Sequence, residues 1–71
     1  MKINKYKRIR LSLGLSLEEF CQKSNIGINT WVRLERKENS QIYAKTLKKL
    51  VNNCNVNLEY LLGDTEEIFK N

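Results

Sequence analysis

The chain contains no proline and no histidine, and only three glycines and two cysteines among its 71 residues. With so few breakers, long stretches are free to form helices. Alternating runs of β-branched residues are also missing, which argues against a sheet. Without histidine, and with Cys21 and Cys54 far apart in the sequence, no ligand set for a metal is complete. Each cysteine falls on an apolar helical stripe, so both are read as reduced core residues. No nucleophile–base pair is recognisable either. Glu18 and Glu19 are adjacent, so on a helix they point in different directions and cannot share a site. An enzyme is therefore not expected, nor is a cofactor or a small-molecule ligand. No apolar run approaches the ~20 residues of a membrane span. The first residues lack the apolar core of a secretory leader, and the expected location is the cytoplasm.

What the chain does have is positive charge. Its formal net charge is +5, and Lys2, Lys5, Lys7, Arg8 and Arg10 crowd the first ten residues. Glu59, Asp64, Glu66 and Glu67 make the other end acidic. A basic body suits a polyanion, either nucleic acid or an anionic membrane, although a merely solvated surface looks the same in composition. The length allows one small domain, which buries only ~60% of the surface its unfolded chain exposes.

Read along the chain, the apolar periodicity predicts five helices. Tyr6, Ile9, Arg10 and Leu13 share one face of the first, with Ile3 a turn earlier, and Gly14 follows as a left-handed cap. Ser16 and Glu19 have capping-box spacing, and Leu15 with Phe20 has the spacing of a hydrophobic staple. The second helix is expected to bury Leu17, Phe20, Cys21 and Ser24, and to stop at Asn25, which tolerates a left-handed conformation. Gly27 can cap a third helix, with Ile26 and Trp31 as its staple. Trp31 and Leu34 then point inward, and Ile28, Asn29, Val32, Arg33 and Arg36 outward. Residues 37–43 read as a polar loop. Leu47, Leu50, Val51 and Cys54 form the stripe of a fourth helix that ends at Asn55. Asn57 caps a short fifth helix, which Gly63 closes. The expected organisation is a domain over residues 1–64 and an acidic tail over 65–71, either frayed or part of a dimer interface. Ile68 and Phe69 have no evident partner there.

Two short helices joined by a tight turn form a helix-turn-helix. The steep crossing wants a small residue at the contact, which Cys21 supplies, and a left-handed residue in the turn, which Asn25 supplies. The outer side of the second helix of the pair is then the side that enters a major groove.

In these features the sequence resembles the Cro and phage-repressor type of helix-turn-helix regulator, also called the xenobiotic-response-element type. The resemblance runs from about Tyr6 to Asp64. It rests on Ile9-Arg10-Leu11-Ser12-Leu13-Gly14-Leu15-Ser16, on Ile26 through Arg36, and on Asn55-Val56-Asn57-Leu58-Glu59-Tyr60-Leu61-Leu62-Gly63-Asp64. It implies an all-α, compact five-helix, lambda-repressor-like DNA-binding fold, often dimeric, with the helix-turn-helix at helices 2 and 3. Arg10 and Glu35 match a pair that forms a partly buried salt bridge. Ile28, Asn29 and Arg33 match positions that face base edges. Asparagine can bond adenine bidentately and arginine guanine, whereas Ile28 can offer a thymine methyl an apolar contact. Thr30 and Val32 match flanking contacts. Ser16, Arg36, Lys37, Ala44 and Lys45 match the regions that hold the phosphate backbone, which set position and salt dependence. The sequence departs from the family pattern at Leu17, where glutamine is usual, and at Gly27, where a polar residue is usual. It also departs at Lys37, often glycine, at Trp31, where Ile or Val is commoner, and at Cys54, usually leucine.

The expected function is sequence-specific binding of double-stranded DNA and transcriptional regulation, by a homodimer on a palindromic operator with helix 3, about residues 28–36, in the major groove. The alternative is a protein-interaction module on the same fold, an antitoxin or anti-repressor partner, in which Leu17, Ile28 and Val32 form an apolar docking patch.

Overall fold

A computed structural model describes residues 4–37, 39 and 41–70. Ile3, Lys2, Glu38 and Ser40 of the sequence reading lie outside the described residues. The architecture is all-α, with α1 over Lys5–Leu13, α2 over Leu17–Ser24, α3 over Ile28–Arg36, α4 over Ala44–Cys54 and α5 over Leu58–Leu62. The described residues contain no sheet; an isolated antiparallel bridge pairs Val56 with Phe69.

Local chemistry explains most of the boundaries. Asn4 caps α1 by accepting from the amides of Tyr6 and Lys7, at 2.7 and 3.3 Å. Ser16 and Glu19 form the reciprocal capping box of α2: the Glu19 amide donates to Ser16 Oγ at 3.2 Å, and the Ser16 amide to Glu19 Oε1 at 3.0 Å. Asn57 accepts from the amide of Glu59 at the start of α5. Four helices end in left-handed caps, at Gly14, Asn25, Asn55 and Gly63. Asparagine tolerates that region better than other residues with a Cβ because its short polar side chain bonds locally. α3 ends differently. Lys37 is extended, at φ −131°, so the chain leaves α3 without a left-handed turn.

The core forms around the Trp31 indole, which is fully buried between two other rings. Phe20 lies tilted against it with centroids 4.4 Å apart, and Tyr6 meets it edge-on at 5.7 Å. Edge-on and offset contacts suit the quadrupoles of aromatic rings. Ile9, Leu34, Leu50 and Val56 complete the interior, with Ile26, Cys21, Cys54, Tyr60 and Leu61 around them. α2 packs on α4 and on α3, and α1 packs on α3. The radius of gyration, 11.0 Å, agrees with the ~11 Å expected of a globular chain this long.

One expectation needs correction. Leu17 is only half-buried. On α4 Thr46, Leu50 and Cys54 are buried, and Leu47 and Val51, half-buried, pack against the core. The tail does not project as a free end over the described residues. The Asn57 amide donates to the Ile68 carbonyl at 2.7 Å, and the Lys70 amide to the Asn55 carbonyl at 3.1 Å. The Asn55 side chain also donates to the Lys70 carbonyl. This short pairing turns Ile68 and Phe69 onto the domain's own core. No helix among the described residues is long and apolar enough to cross a membrane.

Candidate nucleic-acid interface

Helix α3 has an inner face that is tied down and an outer face that is not. On the inner face the Arg10 guanidinium grips Glu35 through Nε to Oε2 at 2.8 Å and Nη2 to Oε1 at 3.2 Å. Arg10 Nη1 also donates to the Leu15 carbonyl at 3.2 Å, so the same side chain holds the link into α2. Trp31, one turn before Glu35, donates its indole N–H to Glu35 Oε2. Glu35 is therefore held both by its own helix and by α1. The pair is largely buried, with side-chain exposures of 16% and 13%. The hydrogen bond to Glu35 raises the Arg10 pKa above its ordinary value, against the opposing effect of burial. Asn4 adds a further tie, its side-chain amide donating to the Leu34 carbonyl at 2.8 Å. With polar groups satisfied across this contact, the inclination of α3 on α1 is well determined.

On the outer face Ile28 is 43% exposed, Asn29, Arg33 and Arg36 are exposed, and Thr30 and Val32 are half-exposed. Arg33, Arg36 and Lys37 have no carboxylate partner among the described residues, whereas Arg8 pairs with Glu66 and Arg10 with Glu35. The starts of the helices differ in the same sense. α1, α2 and α5 begin with side-chain caps, but Gly27 gives α3 none and Tyr43 gives α4 none. A helix start without a side-chain oxygen offers its amides and the positive end of its dipole to an outside anion.

The structure brings five of the sequence-predicted residues into one place. Asn29, Val32, Arg33, Arg36 and Lys37 line a cavity of about 550 Å³ between α3 and the start of α4. Ile28 stands outside this cavity at the first position of α3, and Ala44 and Lys45 are exposed on the first turn of α4. Ser16 is separate, at the start of α2. Its amide and hydroxyl are both engaged with Glu19, and an anion approaching there meets the carboxylates of Glu18 and Glu19. Hydrogen bonds from Ser16, the backbone amide first and the hydroxyl second, lower the Glu19 pKa and keep it ionised. The start of α2 is accordingly a poorer anion site than those of α3 and α4.

Two cavity residues escaped the sequence reading, Gln41 and Tyr43. Both fell within the stretch read as a polar loop. The available signal was an aromatic residue set immediately before a helix and close to Arg36 and Lys37. Both cysteines are free and buried, and desolvation pushes each thiol above its ordinary value of 9.0. Among the described residues no cluster of His, Cys, Asp and Glu is placed to hold a metal. Compared with protein families, curated proteins and solved structures, the chain matches none.

Proposed function

We propose that this chain binds double-stranded DNA in a sequence-specific manner and regulates transcription, as regulators of the Cro and phage-repressor type do. In this reading α2, the Asn25–Gly27 turn and α3 are the helix-turn-helix of a lambda-repressor-like fold, and α3 lies in the major groove. The observation that carries it is the asymmetry of α3. Its inner face is fixed by Arg10, Trp31 and Glu35, while its outer face presents Asn29 and cations that have no carboxylate partner among the described residues. Asn29 and Arg33 read base edges, Ile28 adds an apolar contact, and Thr30 and Val32 flank them. Arg36, Lys37, Ala44 and Lys45 hold phosphates, with Ser16 a weaker contributor for the reason given above.

The partner is a palindromic operator bound by a homodimer, with half-sites about 34 Å apart. The surface best suited to dimerisation is an apolar groove of about 290 Å³ lined by Ala44, Leu47, Val51 and Leu58, beside Lys48 and Asn52. Leu62, 63% exposed, follows Leu58 on α5. Ile68 and Phe69 are not part of this surface, because they pack on their own core. Such a regulator works in the cytoplasm, at the chromosome. Selection of bound duplexes from a random library tests the reading. The expected result is a palindromic consensus whose binding weakens steeply with salt, as each neutralised phosphate releases counterions.

The same apolar groove supports the second reading, a protein-interaction module such as an antitoxin or anti-repressor partner. Absence of any duplex binding at low salt would favour it.

A further inference from the structure

The last carbonyls of a helix have no donor within it, and a side chain from elsewhere can take that place. Both helices of the α2–α3 pair are held in this way by an asparagine from outside the pair. Asn53, near the end of α4, donates its side-chain amide to the Ser24 carbonyl at 2.7 Å. Ser24 is the last residue of α2 and is fully buried. Asn4 uses both ends of its amide. Its oxygen caps α1, and its nitrogen donates at 2.8 Å to the carbonyl of Leu34, in the last turn of α3. The two bonds act at different points. The Ser24 carbonyl belongs to the peptide group leading into Asn25, whose left-handed φ of 60° starts the turn towards α3. Fixing that peptide fixes the direction in which the chain leaves α2. The bond to Leu34 fixes the opposite end of α3.

We propose that Asn4 and Asn53 are positioning residues for base reading, which act through α3 and together set the line along which it enters the groove. This rests on the reading of α3 as the DNA-facing helix and deepens it. The nine residues of α3 span about 14 Å. A tilt of ~5° about one end therefore moves the other end by about 1 Å, beyond the ~0.5 Å within which a binding constellation must be held. Asn29 lies in the first turn of α3 and Arg33 one turn on. A tilt shifts the two side chains by different amounts and breaks their joint register on the base edges. Arg36 and Lys37 reach phosphates on long flexible stems and follow the same shift. Loosening either bond should thus cost sequence preference and leave the electrostatic part of binding intact.

The test is fluorescence anisotropy of the full chain on a selected operator and on mixed-sequence duplex over a range of salt concentrations. It compares Asn4→Ser, Asn53→Ala and Arg33→Ala with the parent. Serine keeps a cap on α1 without the amide donor, and alanine is a better helix former than asparagine at the exposed position 53. Neither asparagine variant changes the charge. Thermal unfolding sets a temperature at which every variant is folded, and Asn53→Ala carries the test should Asn4→Ser unfold. Each asparagine variant is expected to bind the operator about tenfold more weakly, comparable to one mismatched base pair. Binding to mixed duplex and the salt slope should match the parent. If both variants bind the operator like the parent while Arg33→Ala is weakened, the two asparagines only stabilise the fold. The positioning role is then wrong and the DNA reading stands. Equal weakening on operator and mixed duplex would also overturn the positioning role. If the parent binds no duplex at low salt, both readings fall.

Discussion

The two halves of the helix-start inventory behave oppositely. α1, α2 and α5 begin at Asn4, Ser16 and Asn57, each of which turns a side-chain oxygen back on its own helix. α3 and α4 begin at Gly27 and Tyr43, which do not. Arg8 and Arg10, on α1, have carboxylate partners, and Arg33, Arg36 and Lys37, like Lys7 on α1 and Lys23 on α2, have none among the described residues. One part of the domain satisfies itself. The other leaves positive charge and two helix starts directed outward, beside one cavity. A domain maximising its own stability would cap all five helices, since a good N-cap is worth about 1 kcal/mol. The open side is where the structure gives up stability, and such departures tend to mark function.

Breaking the satisfied side should have the largest effect. Arg10→Ala removes the charged partner of a largely buried Glu35 and the bond to Leu15, and is expected to destabilise the fold by about 3 kcal/mol. Marginal stability means this approaches complete unfolding for a domain of this size. Urea denaturation measures it, and an unchanged midpoint would show that Arg10 does not hold α3. Arg33→Ala, on the open side, should leave the unfolding free energy in urea within about 0.5 kcal/mol of the parent. It should instead cost about 1–3 kcal/mol of binding to a selected operator and relax the preference at one base pair. Equal affinity would remove Arg33 from the interface.

Ser16→Ala opens the capping box and should cost about 1 kcal/mol in thermal or urea unfolding. The contribution of the ionised Glu19 is present above the usual glutamate pKa. It is lost as pH falls through the lowered native value, so the parent should lose stability in acid that a Glu19→Gln variant does not lose. The converse change closes an open helix start. Gly27 has φ −60°, and a Cβ there would sit 3.8 Å from Thr30 Oγ1, an ordinary contact. Gly27→Ser should therefore stabilise the domain by about 0.5 kcal/mol, through a new cap and a less flexible unfolded chain. A drop in melting temperature would contradict this.

The smallest effect is alkaline. Cys21 and Cys54 have thiol pKa values raised above 9.0 by desolvation, so the folded state retains protons that the unfolded chain releases. Stability is full below the unfolded thiol pKa and declines as pH rises through the raised native values. Unfolding midpoints should fall above about pH 9 in the parent, and fall less in a Cys54→Ala variant. Equal slopes would exclude Cys54 as a source.

Much of the fold was decided by the sequence over distances of a few residues. The five helices, the Ser16–Glu19 box, the left-handed Asn25 and Asn55, and the inward Trp31 and Leu34 all follow from periodicity and backbone sterics within one or two turns. The outward face of α3 follows from the same 3.6-residue period. The Arg10–Glu35 pair was expected from resemblance, because a separation of 25 positions carries no local signal. The rest required tertiary structure. Asn4 reaching Leu34, the tail folding onto the α4–α5 link, Thr46 joining the α4 stripe inside, and Tyr43 meeting Arg33 across a cavity all depend on how the helices are inclined to one another. That inclination is set by packing around the Trp31 ring and by the bonds to Glu35, which join parts of the chain whose spacing in sequence says nothing about their distance in space.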